Sequence, residues 1–391
     1  MQYMTARHSK HILDWRRFVP FTMISPRLEG FTLLAPGRRT DLVHSENRIP
    51  LGAHKFILSF EDSAPRRFGF EADNALTRYM DAAIASHRCR RLIAMSNFAR
   101  NRFLDQHRNN PALPALQAKL AVRYPNIVIG DTPDLLQDDD GKTLVLTFVG
   151  AHFARKGGCV AVKIAEKALA AGVPLRVNII SPLVMGETVW TDPSRPGFYD
   201  EYKALLNLDN VRHFPGLPYA QMREMLGRSH FGVLTTFADS FGFSAIEAMA
   251  EHTPVLGTRV CALPEVIDDG VNGILIDMPV DRLGMWLRPQ DLSRASPAYE
   301  AYFRSEVDRI AEAALQRLAP LVGDGDRLRG MRRAAKASAI AKFDSHAASD
   351  YWDGLYDEVA AENVASVPRR REPLPNEAAA VSATGFGGVS G

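Results

Sequence analysis

The chain has 391 residues, 46% hydrophobic and 24% charged, with a formal net charge of +2; that is more than one ordinary core and suits two domains plus a tail. Its three cysteines, Cys89, Cys159 and Cys261, are odd in number and far apart, without CxxC or Cys/His spacing, which argues against a disulfide framework or a zinc site and for a reducing, cytoplasmic setting. The opening MQYMTARHSKHILDW lacks the apolar stretch of a signal peptide, and no run of eighteen apolar residues predicts a membrane span.

From Phe31 short apolar runs alternate with polar helical stretches: FTLLA, TDLVHSE, KFILSFE, a helix over Asn74 to Arg88, RLIAMS, and a helix beginning near Asn97. Strands alternating with helices predict a parallel sheet. The segment PNIVIGDTPDLLQDDDGK breaks that rhythm with Pro, Gly and acidic residues and reads as an interdomain connection. Its Asp138-Asp139-Asp140 lies in the connector rather than at a strand end, so a solvated acidic loop is expected there and no metal site.

The rhythm restarts with KTLVLTFVG (strand), GGCVAVKIAEKALAAG (helix), PLRVNIIS (strand), NVRHFPG (strand), YAQMREMLGRS (helix), FGVLTT (strand), a helix over 244–250, and TPVLGT (strand). Residues 281–342 read as helical, HAASDYWDGLYDEVAAE as a last amphipathic helix, and the chain from Ser366 onward as a disordered tail. The expected domains are 1–135, 136–342, a crossing helix at 343–362, and the tail at 366–391.

The charge is uneven. Residues 1–130 hold 20 Lys and Arg against 10 Asp and Glu, while the remainder is net acidic. Arginines cluster at Arg16-Arg17, Arg38-Arg39, Arg66-Arg67 and Arg88 to Arg91. No helix-turn-helix, zinc-finger or RNP pattern accompanies them, so nucleic acid is not the expected partner; an anionic membrane surface, a lipid-linked phosphate and a plain solvated surface all remain open.

If FGVLTT is a strand and Ser244 begins a helix, ADSFGFS is the loop at the strand's carboxyl end, where open α/β sheets bind ligands. The free N–H groups of the helix start favour an anion, and Gly242 lets a phosphate or sugar approach closely. Glu247 falls about a turn inside that helix and Asp239 at the mouth of the turn. One carboxylate can take a sugar's hydroxyls and the other a ribose's.

The stretch ADSFGFSAIEAMAEHTPVLGTRVCALPEVIDDGVNGILI resembles, over some forty residues, the signature of family-4 retaining glycosyltransferases of the GT-B fold: an acid-x7-Glu pair, EAMA, PV and PE-V-DG-NG in that order. LTFVGAHFARKGGCVAV resembles the family's first strand and loop of the second domain, with Gly150 and Lys156-Gly157 in place but Ala151 where the family has Arg. In the first domain TDLVHSEN resembles a strand ending near the donor sugar, with His44 matching a family histidine and Glu46 standing where a second is expected. The family's glycine-rich loop near the N-terminus is not evident, and acceptor recognition cannot be carried over.

The resemblance implies an α/β protein with two Rossmann-like domains facing across a cleft. It implies a metal-independent enzyme without cofactor that moves a sugar, of hexosyltransferase type, from a nucleotide-sugar donor to a hydroxyl acceptor. The acceptor is lipid-linked or anionic on one reading, the role cell-surface glycan or glycolipid synthesis, and the location cytoplasmic or peripheral at the inner membrane face. Asp239, Glu46 and His44 are the candidate catalytic residues, with Glu61 also near the reacting centre. Gly150, Arg155, Lys156, Ser240, Phe241, Gly242, Phe243, Ser244 and Glu247 would bind the donor. A nucleotide-sugar epimerase or hydrolase, and a non-catalytic GT-B-like binding subunit, stay open as alternatives.

Overall fold

The structure is a computed structural model that describes residues 3–17, 19, 21–34, 40–67, 74–289 and 291–362. Arg38 and Arg39 and the expected tail lie outside the described residues.

The first domain runs through β1 (Phe31–Leu33), β2 (Val43–Glu46), β3 (Ile49–Leu51), β4 (Phe56–Phe60), α1 (Ala75–Ala85), β5 (Cys89–Ala94), α2 (Asn97–Gln106), α3 (Leu113–Lys119) and β6 (Leu120–Val122). Its main sheet has the order β2-β4-β5-β6, every pair parallel. All five residues of β4, FILSF, are buried, as a central strand covered on both faces requires. Asn74 starts α1 through a reciprocal capping box with Thr77.

FTLLA does not join that sheet. Its first three residues form β1, which pairs only with β3 in a separate two-stranded sheet. Neither β3 (IPL) nor β6 (LAV) is among the expected strands, because three residues are too short to show a period.

The second domain contains β7 (Leu144–Val149), α4 (Gly158–Ala170), β8 (Leu175–Ile180), α5 (Asp200–Ala204), β9 (Val211–Phe214), α6 (Tyr219–Gly227), β10 (Phe231–Leu234), α7 (Phe243–Ala250), β11 (Val255–Thr258), α8 (Leu263–Val266), β12 (Gly273–Ile276), α9 (Pro297–Leu318) and α10 (Gly325–Phe343). The six strands are all parallel in the order β12-β11-β10-β7-β8-β9. In chain order within the domain this is the doubly wound Rossmann arrangement, with its switch point between β7 and β10. β12 extends the sheet beyond the expected strands, and the helical reading of 281–342 holds for α9 and α10 but not for 281–289 and 291–296, which are loop.

Two crossings join the domains side by side. Ile127 N–H donates to Phe343 O at 2.9 Å, placing the outgoing chain against the end of α10. The last helix, α11 (Ser345–Ala361), then returns to the first sheet. Lys55 of the first domain donates from Nζ to Val359 O, Ala360 O and Glu362 O at 3.0, 3.1 and 2.8 Å, so a buried cation satisfies the orphan carbonyls at the helix C-terminus. Trp352 and Val359 on α11 are fully buried beside it.

Candidate functional site

The loops leaving β7 and β10 meet at the switch point, and the sequence determines how closely. Gly157 adopts φ +94°, and a Cβ there would lie 2.3 Å from Thr235 O, so only glycine lets the β7 loop pass under the end of β10. Arg155 fastens the two loops: its Nη1 donates to Ala238 O at 2.5 Å and its Nε to His152 Nδ1 at 3.3 Å, while Phe237 N–H donates to Arg155 O at 2.8 Å. Gly150 closes β7, with its N–H already given to Ile180 O at 3.1 Å.

Lys156 Nζ lies 3.1 Å from Asp239 Oδ2. That oxygen is buried without a directed hydrogen bond, so the lysine supplies charge off the hydrogen-bond axis. Oδ1 accepts from Gly242 N–H at 3.1 Å. Burial alone would raise the Asp239 carboxyl, but Lys156, Arg155 and the Gly242 N–H hold it below the ordinary carboxylate value.

Gly242, at φ +90°, is the N-cap of α7 and offers no side chain to the helix's first N–H groups. The N–H groups of Phe243 and Ser244 therefore have no intrahelical partner. Ser244 Oγ is buried and has no hydrogen-bond partner among the described residues. Phe241 points into the core against Tyr124 and Phe343.

Glu247 sits one turn further in. Tyr3 Oη donates to its Oε1 at 3.3 Å, and the Tyr3 ring stacks on Phe243 with centroids 3.9 Å apart. Burial raises the Glu247 carboxyl above its ordinary value, against the opposing pull of Tyr3, Lys156, Arg223 and Tyr219. Nothing in the sequence pattern indicates that Tyr3, some 240 positions away, reaches this carboxylate.

Across the cleft, Ser240 Oγ donates to Glu61 Oε2 at 3.2 Å, tying the donor-side loop to the end of β4. Glu61 also pairs with Arg66 and accepts from Asn47 Nδ2 at 3.4 Å. The cleft has a volume of about 1440 Å³ and is lined from the first domain by Glu61, Arg66, Arg102 and Asn109 and from the second by Arg155, Trp190 and Asp239. Arg102 and Trp190 belong to no recognisable motif and emerge only from the fold.

Of the expected site residues, Glu61, Arg155, Asp239 and Ser240 line that cleft, whereas His44, Glu46, Gly150, Lys156, Phe241 to Ser244 and Glu247 are not among its lining residues. Both ring nitrogens of His44 are taken, Nδ1 by Tyr356 Oη at 2.8 Å and Nε2 by Ser59 Oγ at 2.6 Å, and its ring packs on Trp352. Burial lowers this histidine to about 4. Its geometry is that of a fastening between β2 and α11. Glu46 keeps solvent contact at the end of β2, yet local desolvation, then the charge of Glu61, raises its carboxyl.

The signature's later residues hold the domains together. Glu265 accepts from Asn97 N–H, Phe98 N–H and Asn97 Nδ2 at 2.8, 2.7 and 3.0 Å and from Tyr124 Oη at 3.2 Å, placing a carboxylate on the N-terminus of α2 in the other domain. The buried Asn272 accepts from Asp268 N–H at 2.7 Å and donates to Ser338 Oγ at 3.0 Å. Asp139 accepts from His230 Nε2 at 2.9 Å and Asp140 pairs with Lys142, and no cluster of three metal-ligating side chains occurs among the described residues.

Residues 137–284 match the family described as "Glycosyl transferases group 1". This segment is similar to glycosyltransferase group 1 domains. The chain is 32% identical over 136 residues to a D-inositol 3-phosphate glycosyltransferase of Thermobifida fusca, a match covering 34% of this chain and 31% of that protein. The chain thus spans about a third of the length of that curated relative. Among solved structures, a glycosyltransferase of Rickettsia africae superimposes with a TM-score of 0.55 at 16% identity, over 83% of this chain and 78% of its own. HepE of Anabaena, crystallised with UDP and glucose, superimposes with a TM-score of 0.52 at 14% identity, over 79% and 72%. The architecture around the matched segment is GT-B. No described helix is long and apolar enough to cross a membrane.

Proposed function

We propose that the protein transfers a sugar from a nucleotide-sugar donor to a hydroxyl acceptor with retention at the anomeric carbon. The observation that carries this reading is the convergence, at the switch point of the second domain, of Lys156, Asp239 and an uncapped helix N-terminus with Glu247 one turn inside it. In this reading Glu247 accepts the ribose hydroxyls, the N–H groups of Phe243 and Ser244 and Lys156 with Arg155 hold the diphosphate, and Asp239 takes hydroxyls of the transferred sugar. Helix dipole and basic side chains neutralise the diphosphate, so no metal or other cofactor is required. The acceptor oxygen attacks on the face the nucleotide leaves, and the departing phosphate takes its proton. Glu61, bound to Ser240, is a first-domain carboxylate joined to this loop, and His44 holds α11 rather than a substrate.

The same reading puts the enzyme in the cytoplasm, acting in surface glycan or glycolipid synthesis and touching an anionic membrane peripherally. Its support is the basic first domain together with the exposed Ile12, Trp15, Met23 and Ile24 beside Arg16, Arg17 and Arg27. Salt-sensitive flotation with anionic but not neutral vesicles is expected.

A second reading, a nucleotide-binding subunit without turnover, is favoured by Ala151 in place of the family's arginine and by Arg155 being spent on Ala238 O. Incubation with UDP-, GDP- and ADP-sugars decides between them. Sugar transferred to an added acceptor supports the enzyme, nucleotide binding without turnover supports the binding subunit, and sugar released or rearranged without acceptor supports a hydrolase or epimerase.

A further inference from the structure

Glu247, the carboxylate assigned above to ribose, already has a hydroxyl on it. The Tyr3 phenol donates to it, and the same ring covers Phe243, the first residue of α7. One side chain thus spans the ribose position and the edge of the phosphate site.

The backbone that delivers Tyr3 is fixed. Asn126, fully buried where the chain crosses between domains, donates from its N–H to Tyr3 O at 2.7 Å and from Nδ2 to Tyr3 O and Thr5 O at 3.0 Å each. Arg7 Nε returns to Asn126 Oδ1 at 3.0 Å, and the N–H groups of Arg7 and His8 both donate to Ser349 Oγ on α11 at 3.1 Å. Met4 and Ala6, on the other side of this arm, are buried in the core. Beyond the Tyr3 Cα the phenol can move only about its two side-chain torsions.

We propose that Tyr3 is a built-in occupant of the ribose position, which a nucleotide must displace; the proposal rests on the ribose role of Glu247. In the empty protein the phenol satisfies a desolvated carboxylate, and the two ribose hydroxyls replace one donor with two. The apparent affinity of such a site scales with the fraction of molecules in which it is open, so a phenol in place nine times in ten weakens nucleotide binding about tenfold.

The test is calorimetric titration of UDP, GDP, ADP and the corresponding nucleosides into the full chain and into Tyr3→Phe and Tyr3→Ala, with circular dichroism to verify folding. Affinity is expected to rise from wild type to Tyr3→Phe to Tyr3→Ala, by about three- to tenfold overall, and by the same factor for nucleoside and diphosphate because ribose is common to both. The reverse order would make Tyr3 a platform for the nucleotide, and equal affinities would place it outside the path; either overturns the proposal while the ribose site stands. Absence of binding by any nucleotide to all three proteins overturns the ribose assignment itself, and the proposal with it. Tyr3→Phe keeps the ring on Phe243 and guards against a folding defect in Tyr3→Ala.

Discussion

Lys156 and Asp239 form an ion pair across the two loops of the switch point, with Nζ 3.1 Å from Oδ2. The cation assigned to phosphate and the acid assigned to sugar therefore neutralise each other. Removing the lysine leaves a carboxylate that is only 8% exposed without its counter-charge. Lys156→Ala is expected to cost about 1–3 kcal/mol of stability. It should also weaken nucleoside diphosphate binding about ten- to a hundredfold, with far less effect on the bare nucleoside. Equal losses for both ligands would make Lys156 a structural residue.

His44 gives the docking of α11 a pH dependence. Burial lowers its ring from the ordinary 6.5 to about 4, so between those values the unfolded chain binds a proton that the folded one refuses. Stability is then complete above pH 6.5 and falls as pH drops towards 4; by pH 5 the loss from this group is about 1–2 kcal/mol. Chemical denaturation of wild type and His44→Gln at pH 7 and pH 5 should show a smaller decline in the variant, since glutamine can still meet Tyr356 or Ser59 without titrating. Parallel declines would remove His44 as the cause.

The site was legible in the sequence where chemistry sits at strand ends and unreadable where it depends on tertiary approach. Lys156, Asp239 and Glu247 follow recognisable strand-loop-helix rhythms, and the doubly wound order then brings the β7 and β10 loops together. Tyr3 reaches Glu247 only because Asn126 holds the first residues at the domain crossing, which no local periodicity records. Trp190 lies on a long polar segment after β8, and Arg102 is one arginine of many until the fold points it at the cleft. His44 matched a motif by position, but its nitrogens were already spoken for by Tyr356 and Ser59. The missed strands β3 and β6 are three residues each, below the length at which alternation can be seen.

Glu265 should govern how the two domains are held. Its carboxylate takes two backbone N–H groups at the start of α2, an interaction that is both charge-assisted and aligned with the helix dipole. Glu265→Ala is expected to lose about 1–3 kcal/mol and to open the cleft, read as a larger radius of gyration in solution scattering. Glu265→Gln, which keeps one acceptor, should fall between. An unchanged scattering profile in Glu265→Ala would show that α11 and its Lys55 clamp suffice to fix the domains.

Asp239 and Glu247 should fail differently when removed if, as proposed, they serve different parts of one donor. Asp239 also orders its own loop: Oδ1 accepts the Gly242 N–H and Oδ2 neutralises Lys156. Asp239→Asn retains an acceptor for Gly242 while releasing the lysine from its ion pair. Nucleoside diphosphate should then bind as well as or better than to wild type, whereas turnover of the intact donor falls for want of the sugar's carboxylate. Asp239→Glu keeps the charge but must fit one more methylene into a closed space, and its turnover should lie between those of wild type and Asp239→Asn. Glu247 behaves in the opposite sense. Its carboxyl is raised by burial, so wherever the group is ionised in the fold, holding the charge costs stability; Glu247→Gln relieves that cost and should raise Tm. The same change halves the acceptor capacity offered to ribose and should weaken nucleoside, diphosphate and donor alike, by about tenfold. Titrations of the three ligands against both variants, followed by turnover, give the comparison. Matching profiles for Asp239→Asn and Glu247→Gln, with both proteins folded, would mean that the two carboxylates serve one half of the ligand and that the division between ribose and sugar is wrong.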